Sequence, residues 1–327
     1  MTTMTMAKAL NAGLRKALEN DPKVLLFGED IGKLGGVFRI TDGLQKDFGE
    51  HRVMDAPLAE SGIVGTAVGL AMRGYRTVVE IQFDGFVYPA FDQIVSQVAK
   101  QHNRSLGVNR MPIVIRIPYG GGIGAIEHHS ESPEAYFAHT AGLRVLTPGD
   151  PNEAYITIQQ AIASEDPVVF FEPKRRYWDK GEVDEAADAL SMPAPWSART
   201  VRHGTDVTVA CYGPMVRTCV EAAEAADREG KSLEVIDLRS LSPLDVDAVA
   251  ASVERTGRLV IVHEAPTFLG IGAELAAAIS HQCFYALEAP VMRVGGYNTP
   301  YPPSRIEHHY LPDLDRVLDA VDQALAW

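Results

Sequence analysis

Residues 112–173 read PIVIRIPYGGGIGAIEHHSESPEAYFAHTAGLRVLTPGDPNEAYITIQQAIASEDPVVFFEP. Three short runs, PIVIRIP, LRVLTP and PVVFFEP, are apolar without polar alternation, and a helix beginning near Asn152 separates the last two. Strands of this kind are buried on both faces, so they belong to a mainly parallel sheet covered by helices on each side. The same alternation extends outward. VLLFGED (24–30) and TVVEIQF (77–83) read as further strands. Met6, Leu10, Leu14, Ala17 and Leu18 recur at helical spacing up to Asp21-Pro22. ESGIVGTAVGLAM (60–72) reads as a helix lined with small residues that permit close packing, and YPAFDQIVSQVAKQ (88–101) as a helix with Pro89 in its first turn. Beyond a charged, Pro-containing stretch, DVTVACYG, LEVIDLR, RLVIVHE and VMRV are strands again. Helices are expected between them near 215–229, 244–255 and 271–285, and a last one near 313–325. The expectation is an α/β protein of two domains, 1–185 and 201–327, joined by a linker at 186–200.

Composition narrows the function. The chain has 327 residues, 46% apolar and 22% charged, which is ordinary globular usage and long enough for two cores. Thirty Lys plus Arg stand against 43 Asp plus Glu, a balance of −13. Such a surface repels phosphate backbones and anionic membranes, so neither nucleic acid nor a membrane is an expected partner, and a basic protein partner is favoured. Cys211, Cys219 and Cys283 are odd in number and lack CxxC spacing, which fits a reducing compartment better than a disulfide or zinc scaffold. No apolar run approaches the ~18 residues of a membrane span, and the N-terminus lacks the apolar core of a secretion signal. A cytoplasmic location is expected.

Three constellations carry chemistry. Gly120, Gly122 and Ala125 fit a GxGxxA dinucleotide pattern, although no long apolar helix follows, so a nicotinamide-dependent oxidoreductase is one reading. Glu127, His128, His129, Glu131 and His139 crowd the next stretch; adjacent histidines rarely share one ion and HExxH is absent, and at least one functional histidine on a strand-end loop is favoured over a structural pair, with His139 structural. Glu60 stands among small and apolar neighbours at a helix start, either as a carboxylate favoured by the helix dipole or as a partly buried carboxyl ready to share a proton. No GxxxxGK[ST] loop or GxSxG elbow is present.

FGEDIGKLGGVFRIT, RVMDAPLAESGIVG, EIQFDGFVYPAFDQI, HHSESPEAYFAHTAGLRVLTP, DPVVFFEPKRRYW, EVIDLRSLSPLD, VIVHEAP and LEAPVMRVGGYNTPYP follow one another across nearly the whole chain. Together they closely resemble the β subunit of the thiamine-diphosphate-dependent E1 component of 2-oxo acid dehydrogenase complexes, and HSESPEAYFAH and FFEPKRRYW are most similar to the branched-chain (2-oxoisovalerate) members. Pyruvate-specific relatives share PLAESGI and LEAP, so a pyruvate (or acetoin) dehydrogenase E1 β subunit is the alternative. The resemblance implies a pyrimidine-binding domain followed by a transketolase C-terminal-like domain, in an α2β2 heterotetramer with an E1 α subunit. Thiamine diphosphate would lie between α and β, its magnesium held mainly by α, because the GDG…Asn-Asn stretch of thiamine enzymes is missing here. On the same resemblance, Glu60 meets the aminopyrimidine N1′, Leu58 and Gln82 line the pyrimidine, and Phe86, a tyrosine in some relatives, stacks on it or packs in the core. His129 serves acyl transfer from a 2-oxo acid to the lipoyl arm of an acyltransferase (E2). A potassium ion bound in some relatives would fall on Met111, Ile113, Val114, Ala161, Ser164 and Asp166, where Ser164 replaces an acid and Asp166 an amide. A non-catalytic scaffold subunit is the third reading.

Overall fold

The computed structural model describes residues 1–327. Eight strands come first: β1 (Thr2–Thr5), β2 (Val24–Gly28), β3 (Val53–Asp55), β4 (Arg76–Glu80), β5 (Ile113–Tyr119), β6 (Arg144–Leu146), β7 (Val168–Pro173) and β8 (Lys180–Val183). Six follow: β9 (Arg199–Arg202), β10 (Val207–Cys211), β11 (Leu233–Asp237), β12 (Ser240–Ser242), β13 (Leu259–Pro266) and β14 (Met292–Gly296). The first sheet has the order β12-β6-β7-β5-β4-β2-β3 and is parallel except for β12, which runs antiparallel to β6. The second has the order β14-β13-β10-β11-β9, parallel except for β9, and β1 pairs with β8 in a separate ribbon.

Counting helices of eight residues or more, α1 is Met6–Asn20, α2 Glu60–Met72, α3 Pro151–Ala163, α4 Met215–Asp227, α5 Val246–Thr256, α6 Ile271–Gln282 and α7 Leu314–Leu325. Several begin where a side chain satisfies an orphan backbone N–H: Thr5 accepts from Lys8, Asp150 from Glu153, Asp245 from Ala248 and Asp313 from Arg316. On one face of the first sheet α1 and α3 pack together, burying Leu10, Leu14 and Ile158 over Leu26, Val78 and Phe170. Gly13 makes that approach possible, since a Cβ there would lie 2.5 Å from Ile158 Cγ2. On the other face α2 covers Val79, Ile81 and Ile115. The same apolar cluster runs on through Tyr212, Ile236, Val253 and Ile261 of the second domain, whose α5 and α6 close it. Each such side chain, fully buried, stabilises the fold by about 1.5–3 kcal/mol, so the two domains share one core.

One expectation needs correction, the helix over 88–101, and the structure adds detail to the domain boundary. The linker read at 186–200 already contains the start of β9 at Arg199 and a 3₁₀ turn at Ala189–Ser191. The boundary is also not clean along the chain, because β12 returns from the second domain to complete the first sheet's edge. The segment 88–101 is not one helix. It lies within a 3₁₀ turn (Asp84–Ala90), a π-helical turn (Gln93–Val98) and a short helical turn from Gln101; Pro89 sits inside the first of these and removes a backbone donor. No helix is long and apolar enough to cross a membrane.

Candidate active site

Glu60, Gln82, Phe86 and His129 gather at the carboxyl edge of the first sheet, where open α/β folds present ligand sites, together with two residues not singled out above, Glu29 and Lys174. Glu29 follows β2, Gln82 follows β4, and Lys174 follows β7. Glu60 is the first residue of α2, which packs against the 3₁₀ turn Asp84–Ala90 carrying Phe86. That turn in turn contacts Glu127–His129. Parallel pairing of β2, β4, β5 and β7 brings these loops to one end, although up to 145 positions separate Glu29 from Lys174.

Glu60 is buried, and so is Glu29. The two carboxyls face one another electrostatically. Burial chiefly, then the charge of Glu60 and that of Asp30, push Glu29 above the usual carboxylate range, while the N–H of Ala59 partly offsets this. Glu29 Oε1 has no hydrogen-bond partner within the chain. Glu29 is a site residue that the sequence reading missed; its position in GED directly after an apolar strand was the available signal. Around them the surface is open and partly apolar. Leu58 is 79% exposed, and Gln82 and Phe86 are half-buried.

His129 is seated by aromatic rings. Phe83 stacks on it with centroids 4.0 Å apart, and Phe86 meets it edge-on at 5.0 Å. Phe86 is half-buried, packs against the apolar core and also forms a wall of the histidine's seat. His129 Nδ1 lies 3.0 Å from the carbonyl oxygen of His128, which fixes the proton on Nδ1 and leaves Nε2 as an acceptor. Burial, followed by the charges of His128 and Lys174, pulls the imidazole below its ordinary range against the opposing carbonyl bond. Burial thus favours the neutral form of the ring. His128 is 4.3 Å away, centroid to centroid, so the adjacent histidines do not point apart as an extended chain would place them. No group of three or more His, Cys, Asp or Glu is placed to hold a metal. His139, read as structural, is exposed.

Beneath the site lies a buried charge layer. Arg116 donates to Glu80 at 2.5 Å and to both oxygens of Glu172 at 2.6 and 2.9 Å, and Tyr177 donates to Glu172 at 2.6 Å. These bonds tie the carboxyl ends of β4, β5 and β7 together.

The glycine loop after β5 does not offer a dinucleotide cradle. The N–H of Gly121 donates to Glu264, and those of Gly122 and Gly124 donate to Glu307 at 3.1 and 3.0 Å. Its amides are spent on carboxylates of the second domain, which would repel a pyrophosphate. Gly120, Gly122 and Gly124 all have positive φ, and a Cβ on Gly121 would strike the Tyr301 hydroxyl. The loop is an interdomain latch, and this overturns the nicotinamide reading.

The positions considered for potassium lie elsewhere. Met111 precedes β5 and Ile113 and Val114 open it, while Ala161 lies in the last turn of α3 and Ser164 and Asp166 just beyond its end. Arg144 donates twice to the Asp166 carboxylate at 3.0 and 2.7 Å, and Ser164 Oγ donates to the Asp166 carbonyl. Arg76 caps the carbonyls of Ile162, Ala163 and Ser164. The side chains of Ser164 and Asp166 are thus engaged within the chain, which leaves main-chain oxygens as the donors such an ion would use.

Residues 2–179 match the transketolase pyrimidine-binding domain, and residues 197–317 the transketolase C-terminal domain. The chain is 60% identical over 325 residues to the pyruvate dehydrogenase E1 component subunit beta of Leifsonia xyli, covering 99% of this chain and 96% of that one. It is 54% identical over 326 residues to the 3-methyl-2-oxobutanoate dehydrogenase subunit beta of Mycobacterium tuberculosis, covering 99% and 92%. Among solved structures, a split-gene transketolase, described as an inactive beta4 tetramer, superposes with a TM-score of 0.79 over 99% of this chain and 98% of the other at 22% identity, a likeness of fold. With its two transketolase-type domains in this order and relatives of this identity along its length, the chain belongs to the E1 β-subunit family of the 2-oxo acid dehydrogenases.

Proposed function

We propose that this chain is the β half of an α2β2 E1 enzyme that decarboxylates branched-chain 2-oxo acids and passes the acyl group to a lipoyl-bearing acyltransferase. The observation that carries the reading is the buried Glu60 at the start of α2, beside a second buried carboxyl and an exposed apolar rim. The residues fit one end of thiamine diphosphate. An orphaned carboxyl oxygen on Glu29, the half-buried amide of Gln82 and the exposed Leu58 offer polar and apolar contacts to an aminopyrimidine. The sequence lacks the GDG…Asn-Asn stretch, so on the family resemblance the diphosphate and its magnesium would be held mainly by the α subunit. When bound, the coenzyme supplies the electron sink for loss of carbon dioxide.

The work of this chain is proton placement. Glu60 is the carboxyl that would exchange a proton with a ligand nitrogen, and its charge helps to push the neighbouring Glu29 above the usual carboxylate range. His129, its neutral form favoured by burial and its Nε2 free, accepts or returns a proton while the acyl group moves. The ring of Phe86 keeps this imidazole in a fixed plane.

The branched-chain assignment rests on the HSESPEAYFAH and FFEPKRRYW wording and on the relative named 3-methyl-2-oxobutanoate dehydrogenase. A second reading, pyruvate, is favoured by the higher identity to a relative named pyruvate dehydrogenase. Coexpression with the α subunit and comparison of kcat/KM for 3-methyl-2-oxobutanoate and pyruvate separates them. A preference for the branched acid of tenfold or more, about 1.4 kcal/mol, supports the first; the reverse preference installs the second.

A further inference from the structure

We propose that the buried pair Asp84–Lys174 is a positioning device that holds the His129 segment in its working place; the proposal rests on the reading of His129 given above. Both side chains are fully buried and form an ion pair. Their second contacts are what point beyond structure. Lys174 Nζ donates to the carbonyl oxygen of His129 at 2.7 Å, and Asp84 Oδ2 accepts from the N–H of Glu131 at 3.0 Å. The pair therefore grips the backbone two residues apart, from two different strand ends. Phe83, the residue before Asp84, forms the stacking wall for the His129 ring, and Lys174 Nζ stands 5.3 Å from the centre of that same ring of Phe83. Gly85, the residue after Asp84, leaves space for the His128 carbonyl, which a Cβ would approach to 2.2 Å. Four features thus converge on the stretch His128–Glu131.

A buried ion pair is a poor source of stability, because desolvation of both charges offsets their attraction, and an apolar pair of similar size is often as stable. Here burial pushes the Asp84 carboxyl up to about 6 and pulls Lys174 down, with the mutual attraction opposing both shifts. The geometry supplies a reason to keep such a pair. A hydrocarbon in its place could fill the volume but could not bond the His129 carbonyl or the Glu131 amide. Displacement of a catalytic ring by about 1 Å costs on the order of 100-fold in rate.

The test uses the α2β2 enzyme assembled with its α subunit, thiamine diphosphate and magnesium, and 3-methyl-2-oxobutanoate and pyruvate as substrates. Lys174→Met and, to avoid leaving one charge buried alone, the double variant D84L/K174M are compared with His129→Ala and with the combination D84L/K174M/H129A. The expected result is a roughly 10–100-fold fall in kcat for the pair variants, with KM changed less than about threefold. Adding H129A to D84L/K174M should then cost little beyond H129A alone, since the pair acts through that ring. Multiplication of the two losses, or full activity in D84L/K174M, overturns the proposal. Full activity in H129A overturns the assignment of His129 itself, and that outcome is read from the single variant independently.

Discussion

Replacing Glu60 by glutamine removes one ionisable proton and almost nothing else. The side chain is 7% exposed and heads α2, so its volume is retained and the helix keeps its packing on the turn that carries Phe86. In stability, the first-turn charge contributes about 0.3–1 kcal/mol through the helix dipole. Relief of repulsion with the buried Glu29 opposes that loss. The net change is therefore expected to be below ~1 kcal/mol, a shift in Tm of at most about 2–4 °C. In rate, a positioned proton donor or acceptor is worth about 10²–10⁴-fold, or roughly 3–5 kcal/mol of barrier. The assay is decarboxylation with an artificial electron acceptor by the reconstituted α2β2 enzyme, run beside a melt of the same sample and a coenzyme titration. The expected signature is loss of turnover with an unaltered melt and retained coenzyme binding. Turnover within threefold of wild type would falsify the proton role, and a collapse in Tm would assign the residue to folding instead.

Other perturbations follow from the same geometry. Burial pushes Glu134 from 4.5 to about 7, with the Tyr212 hydroxyl bond opposing; the folded state holds the proton more tightly, so its contribution to stability is complete below pH 4.5 and fades as pH rises through 7. Glu134→Gln should accordingly raise the Tm at pH 8, by the equivalent of up to about 3 kcal/mol, and leave it unchanged at pH 4.5; equal melts at both values contradict this. In Gly85→Ala the new Cβ would lie 2.2 Å from the His128 carbonyl oxygen and 2.8 Å from its Cβ, so the histidine turn must move and turnover should fall at least tenfold while the assembly persists, as judged by size exclusion. With Arg144 and Arg76 already bonded at the end of α3, exchanging potassium for sodium should leave the melt and the rate unchanged, and a potassium-specific rise in Tm would instead place the ion on the main-chain oxygens of Met111, Ile113, Val114, Ala161, Ser164 and Asp166.

The fold was legible where burial leaves a local signature. PIVIRIP, PVVFFEP and VLLFG are apolar on both faces, and the structure makes each a central parallel strand. It was illegible where pairing is non-local. Ser240–Ser242 is a three-residue strand with no periodicity of its own, and only the domain docking delivers it to β6. Likewise 88–101 has helical composition, but Pro89 and the packing of α2 on the preceding turn break it into three geometries.

The site divides in the same way. Glu60 and His129 announced themselves as polar residues in apolar or glycine-rich surroundings. Asp84 and Lys174 lie 90 positions apart, and nothing in either neighbourhood signals a fully buried pair. Glu264 and Glu307 act on the glycine loop from the other domain. Spacing alone made that loop resemble a phosphate cradle, whereas the hydrogen bonds make it a latch. What sequence conveys is the environment each residue asks for; which partner satisfies it is decided by topology.

The most direct measurement is carbon dioxide release from 3-methyl-2-oxobutanoate or pyruvate in the presence of thiamine diphosphate and magnesium. It is made with this chain alone, with the α subunit alone, and with the two combined. If this chain brings the proton-handling half of a shared site, release occurs only in the mixture and disappears again when the Glu60→Gln chain is used. Release by either subunit on its own, or undiminished release with the glutamine chain, would contradict that claim.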